Sequence, residues 1–258
     1  MNMKELTLVD YSKKKLDDTY LVVYMIKNEI NLKKENIVEP IDLYTMVGVN
    51  KKGFRELLGI YPDRDLDNRY WLDIFETMKA RGLKNILFIT IDDNKNFKKA
   101  VKIAFPEVTF VDALTYVVPK FEKYTSEKST KKTLSRIHKL YTQETLEEYR
   151  KELENFKTIY SSTIHQKLIK KYLSHVEDYY KYSYPIRSFL FKPTANVRIY
   201  HALQLFFHTN KNYVNDLNEV YEKLEKTKQL FGFNSFNKNQ WSLILNDMIE
   251  LYAEIEFI

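Results

Sequence analysis

The chain has 258 residues, with 41 Lys and Arg against 35 Asp and Glu for a net charge of +6, and it contains no Cys. Without Cys there is no disulfide framework and no thiolate metal site. No run is long enough to span a membrane, and the N-terminus lacks an apolar signal segment, so a cytoplasmic location fits best.

In chain order, Tyr20 to Lys27 (YLVVYMIK) is an apolar run that predicts a strand. Ile41 to Val49 predicts a second strand, Asn50 to Gly53 a hairpin turn, and Phe54 to Ile60 a third strand. Tyr70, Ile74, Phe75 and Met78 share one face of a helix over 67–81, which stops at Gly82. Asn85 to Ile91 (NILFITI) has the profile of a strand buried on both faces, with Asp92 at its end. A helix over 95–104 ends before Pro106, and Val108 to Val111 makes a short fifth strand. From about residue 114 to Tyr182 the chain is charged and free of Gly. Ile137, Leu140, Tyr141, Leu146, Tyr149, Leu153 and Phe156 recur there at helical spacing, as an all-helical insertion would show. Pro185 and Pro193 bracket a short apolar segment, Ile186 to Phe191, and helices follow over about 195–208, 213–230 and 239–255. The expected division is a core over 1–113, the insertion over 114–183, a final core helix region over 184–210, and C-terminal helices over 211–258. Strands and helices mixed on one sheet make the class α/β.

Several local sequences fall in one register over roughly residues 14–210. They are Leu16-Asp17-Asp18-Thr19-Tyr20, Gly48-Val49-Asn50, Gly53 with Arg55 to Gly59 (RELLG), and Trp71-Leu72. Lys79-Ala80-Arg81-Gly82, Ile86 to Asp92, Ala100 with Phe105 and Pro106, and Tyr184-Pro185-Ile186-Arg187 continue the series. In this series the chain resembles the Mutator-type transposases of bacterial insertion sequences, whose blocks read L-D-E-x-Y-P, G-V-N, G-x-R-E-x-L-G, W-L, K-x-R-G, A-I-x-x-x-F-P and Y-P-x-x-I-R. The resemblance implies a ribonuclease-H-like mixed five-stranded sheet flanked by helices, with an all-helical insertion and C-terminal helices. Such transposases also carry an upstream helical DNA-binding region, so the expectation is a catalytic core alone behind a short leader.

The resemblance further implies three carboxylates, Asp, Asp and Glu, that hold two magnesium ions for phosphodiester cleavage and strand transfer. Magnesium needs oxygen ligands, and one carboxylate does not hold a pair of ions. Carried over position by position, the first Asp falls on Ile26, the second on Asp92 and the Glu on Val197. Tyr20 to Asn28 contains no acid, and none occurs between Arg187 and Asp216. The Gly that follows the second Asp is Asp93 here, and a Cys-x-x-His pair falls on Ala113 and Tyr116. Asp92 has a plain alternative role as a cap of the helix that begins near Lys95. The expectation is therefore a packed, apolar former site with no metal or other cofactor, in a protein whose standing as an enzyme is uncertain.

Other constellations are weaker. His138, His165, His175, His201 and His208 form no ligand set beyond a loose His175, Glu177 and Asp178. Arg198, beside the lost Glu, with Lys192 and Lys95, are the candidate DNA contacts, ahead of Lys13 to Lys15, Lys98-Lys99, Lys131-Lys132 and Lys170-Lys171. Tyr179, Tyr180, Tyr182 and Tyr184 read as packing rather than base stacking. The functional expectation is a transposase-derived protein, inactive in cleavage and strand transfer, that binds DNA, a second copy of itself or an intact transposase, with no membrane and no small-molecule substrate. The rival is an active transposase or nuclease with relocated carboxylates: Asp17 or Asp18, Asp92, and Asp216 or Glu219.

Overall fold

The computed structural model describes residues 14–34, 37–63, 67–92, 94–125, 130–191, 200, 203–205, 207, 213–226, 232–233 and 237–253. The chain divides into two compact units. Unit one comprises Met1–Val111 and Arg198–Asn234, and unit two Asp112–Val197 and Ser235–Ile258.

Unit one is built on a mixed sheet. Its strands are β1 (Thr19–Lys34), β2 (Ile37–Asn50), β3 (Phe54–Asp63), β4 (Asn85–Ile91), β5 (Thr109–Asp112) and the two-residue β6 (Gly232–Phe233). They lie in the order β5-β4-β1-β2-β3-β6. The five expected strands are present, and β6 adds an edge that the sequence did not suggest. β1, β2 and β3 form an antiparallel meander, while β4 runs parallel to β1. β1 and β2 are longer than their apolar runs. Beyond Lys27, buried Asn28, Ile30 and Leu32 alternate with exposed Lys27, Glu29 and Asn31, the period of a strand with one face covered.

Two helices pack on each other in this unit, α1 (Asn68–Ala80) and α2 (Lys95–Ala104). Asp67 caps α1 by accepting from the amides of Arg69 and Tyr70, and Asn94 caps α2 by accepting from Phe97. α1 ends where Gly82 takes a φ of 113°, which lets the amide of Leu83 turn back to the Met78 carbonyl. Trp71 of α1 is fully buried, with its ring edge-on to Tyr44, Tyr61, Tyr70 and Phe97.

The β2–β3 hairpin is closed by a polar knot. Gly53 adopts a φ of 83° and its amide donates to the Asn50 carbonyl. The Asn50 side-chain oxygen accepts from the amides of Lys52 and Phe54, while its nitrogen donates to Asp17 at 2.8 Å and Glu56 at 2.6 Å. Tyr20 donates its hydroxyl to the other oxygen of Glu56. The Tyr20 ring lies flat over Gly48, where an added Cβ would meet ring carbons at 2.4 Å. Gly48→Ala is therefore expected to lower stability by about 1–3 kcal/mol, the usual cost of overpacking. A urea midpoint unchanged from the parent would show that the ring moves aside freely.

Unit two is helical: α3 (Leu114–Glu122), α4 (Thr130–Tyr141), α5 (Leu146–Ile159), α6 (Thr163–Tyr172), a 3-10 helix (Val176–Lys181), α7 (Tyr184–Leu190) and α9 (Lys238–Leu251); α8 (Leu217–Lys226) belongs to unit one. Thr145 and Glu148 form a reciprocal capping box at the start of α5. α3 packs on α4 and α6, and α9 packs on α7 through Trp241 against Phe189. Tyr179 and Tyr182 are buried, so that part of the tyrosine stretch is packing, as expected.

Candidate functional site

Asp92 stands just past the end of β4. Thr19 pairs with Asn85 and Val23 with Ile89, a constant offset of 66. The paired residues end at Val23 and Ile89, and Ile26 and Asp92 each lie three residues further along. Past those pairs, the Met25 amide donates to Thr90 Oγ1 at 3.0 Å, and Tyr44, which pairs with Lys27 and so lies on the face of the sheet opposite Ile26, donates its hydroxyl to Asp92 Oδ2 at 3.2 Å. The other oxygen, Oδ1, accepts from the amide of Asn94 at 2.9 Å. The cap of α2 is thus Asn94 and not Asp92. Asp92 braces the turn that leads into it, a local bond two residues on.

Ile26 is fully buried. Thr45 lies directly opposite it on β2, and Asn28 lies on the same side of β1. Both are buried, and the Thr45 hydroxyl and both ends of the Asn28 amide have no hydrogen-bond partner. An unsatisfied buried polar group costs about 1–3 kcal/mol. Ile26 therefore sits among buried polar groups that it does not satisfy.

The other sequence candidates do not gather here. Asp17 is held in the Asn50 knot and Asp18 pairs with Lys51 at 3.3 Å, at the opposite end of β1. From Thr19 to Ile26 the strand rises roughly 23 Å. Asp216 follows Val214, which bridges to Leu32, six residues beyond Ile26, and its carboxylate accepts from the Asn218 amide. Lys95 is exposed on the first turn of α2. Lys192, Val197, Arg198, Asp93, His201 and His208 lie outside the described residues, as does the side chain of Glu219. Among the described residues no three His, Asp or Glu side chains are grouped to hold a metal ion. Of the two aligned positions that are described, only Asp92 offers an oxygen to magnesium, and one carboxylate does not hold a pair of ions.

A second polar cluster lies in unit two. Asp112 accepts from the Tyr141 hydroxyl at 2.7 Å, and His175 Nε2 lies 2.9 Å from both of its oxygens. Burial, then the charge of Asp112, push the Tyr141 phenol well above its ordinary pKa. The acid beside His175 is thus Asp112, 63 residues away, rather than Glu177, which pairs with Arg150 at 2.6 Å. Nothing in the local sequence signalled this contact.

The residues that carried the family resemblance prove to be structural. Asp17, Tyr20, Gly48, Asn50, Gly53 and Glu56 make the hairpin knot. Arg81 donates to the carbonyls of Lys14 and Leu58, and Arg187 to those of Tyr141, Tyr182, Gln143 and Glu144. Comparison with known proteins agrees with that pattern: a family model described as "Transposase, Mutator family" matches residues 3–199. The chain belongs to the Mutator transposase family. Its similarity to individual relatives of the Mutator family is distant. It is 22% identical over 151 residues to a probable transposase for an ISRM3-like insertion sequence element of Sinorhizobium fredii, covering 58% of this chain and 38% of that protein. It is 26% identical over 110 residues to the transposase for IS1201 of Lactobacillus helveticus, covering 42% and 29%. It is 27% identical over 81 residues to the transposase for IS256 in transposon Tn4001 of Staphylococcus aureus, covering 31% and 21%. The chain thus spans well under half the length of these relatives. No helix among the described residues is long and apolar enough to cross a membrane.

Proposed function

We propose that this Mutator-family chain is inactive in DNA cleavage and strand transfer and acts by binding, to DNA or to another transposase chain. The observation that carries the reading is Ile26. A fully buried hydrophobe stands at the position that aligns with the first metal-binding carboxylate of such transposases. Val197 at the third position supports the same reading from the sequence. The tie of Asp92 to Tyr44 and Asn94 gives it a structural task that survives without a metal.

Calorimetric titration of Mg²⁺ and Mn²⁺ into the protein, with Asp92→Ala alongside, tests the loss of chemistry. The expected result is no saturable heat from either protein. Stoichiometric binding that vanishes in Asp92→Ala would overturn the reading and bring back an active enzyme with relocated carboxylates. The two binding modes separate by salt. DNA affinity falls steeply between 50 and 200 mM salt when several phosphates are neutralised, whereas self-association lacks that slope.

A further inference from the structure

The positive charge of the chain is not evenly spread. α3, α4 and α6, which pack together through α3, carry Lys120, Lys131, Lys132, Arg136, Lys139, Lys167, Lys170 and Lys171 against a single acid, Glu122. That excess of seven exceeds the net +6 of the whole protein. The remainder sums to slightly acidic, so the excess belongs to these three helices.

Aromatic rings are set into it. Tyr116 of α3 and Tyr172 of α6 are half-buried and meet edge to face with ring centres 6.1 Å apart. Lys120 Nζ lies 4.4 Å from the Tyr116 ring centre, and Lys171 Nζ 4.8 Å from that of Tyr172. Burial would raise the Tyr172 phenol, but hydrogen bonds with Lys171 and Tyr116 and the charges of Lys171 and Lys120 lower it overall. Tyr124, exposed just past α3, has Lys123 Nζ 5.7 Å from its ring centre.

We infer that the α3–α6 face binds single-stranded nucleic acid, stacking unpaired bases on Tyr116 and Tyr172 and holding the adjoining phosphates with Lys120 and Lys171. A base that takes a ring face displaces the ammonium outward, where it meets the next phosphate. Rings serve any base, so the surface is tolerant of sequence, and the lysines make it salt-dependent. Duplex DNA hides its base faces and cannot use the rings. The inference rests on the binding reading above and gives it a location.

Fluorescence anisotropy with a labelled dT20 strand, the matching duplex and unlabelled inorganic polyphosphate as competitor tests it on the full chain. The single strand is expected to bind more tightly than the duplex. Tyr116→Ala with Tyr172→Ala is expected to weaken dT20 by at least about fivefold, the low end for loss of base–aromatic stacking. Tyr116→Phe with Tyr172→Phe keeps the rings and is expected to keep the affinity. Lys120→Gln with Lys171→Gln is expected to flatten the salt slope by roughly 1.4, two contacts on a single strand. Equal affinities for the Ala and Phe variants, equal binding of duplex, or no binding of dT20 by the parent would each overturn the proposal. Unaltered dT20 binding in all variants sinks the surface and leaves the inactive-transposase reading standing, whereas metal-dependent strand cleavage by the parent sinks that reading and leaves the surface standing.

Discussion

Arg187→Ala should destabilise unit two by about 3–5 kcal/mol, the cost of stripping a buried hydrogen-bonded charge from its partners. The side chain is only 2% exposed. Its guanidinium collects the carbonyls of Tyr141, Gln143 and Glu144, where the chain leaves α4, and that of Tyr182 before α7. The group lies flat on Tyr180, 4.1 Å from the ring centre, and Tyr180 in turn donates its hydroxyl to the Leu140 carbonyl. Burial lowers the pKa of Arg187 while the phenols of Tyr180 and Tyr184 raise it, and arginine stays charged at neutral pH. Removing it leaves four carbonyls facing a cavity. Arg187→Lys should recover less than half of the loss, because an ammonium on a flexible stem cannot span that set of acceptors. Urea unfolding of both variants checks this. A loss under about 1 kcal/mol for Arg187→Ala would show that the carbonyls find water instead.

Trp71→Ala should cost unit one about 3–5 kcal/mol, the range for deleting a large aromatic from a core. Its ring centre lies 5.0 Å from Phe97, 5.2 Å from Tyr70, 5.4 Å from Tyr44 and 6.5 Å from Tyr61, each at a steep angle. Such edge-on pairs add to the area that the ring buries. Its indole nitrogen has no acceptor, so Trp71→Phe loses volume but also an unsatisfied donor and should cost less than the Ala variant. The only other tryptophan, Trp241, is in unit two. In Trp71→Phe the remaining indole fluorescence therefore reports unit two alone, while circular dichroism follows the whole chain. Equal losses for Trp71→Ala and Trp71→Phe would mean that the cavity refills by relaxation and that packing at Trp71 is loose.

Much of the fold could be read from the residues because the strongest patterns were local. Asn85 to Ile91 and Lys95 to Ala104 fall where the apolar run and the helical segment place them, with Asn94 rather than Asp92 as the cap. The ends of β1 and β2 were missed for a specific reason. Apolar runs set the expected ends at Lys27 and Ile41, whereas both strands continue through polar alternation, with Asn31 paired to Pro40. Ile186 to Phe191 read as a segment between prolines. It is most of a helix, because Pro185 occupies the first turn, where its missing amide hydrogen costs nothing. At the candidate site, β1, which holds Ile26, and β4, which ends just before Asp92, are parallel neighbours in the sheet. The hydroxyl of Tyr44 on Asp92 and the contact of Asp112 with His175 join residues 48 and 63 positions apart, and no local spacing encodes a bond of that range.

The two-piece make-up of both units has a consequence for the order of assembly during synthesis. Strand β3 reaches its edge partner only when Gly232 and Phe233 emerge, opposite Arg55 and Phe54. α7 waits for α9, which begins at Lys238. A nascent chain therefore carries an uncovered sheet edge and an unpartnered helix until those segments emerge. Neither unit closes before the chain from Arg198 onward has been made. Such late, long-range closure slows folding and exposes strand edges to wrong partners. Chaperone dependence and loss to aggregation should accordingly track how fast the codons for residues 198–258 are translated.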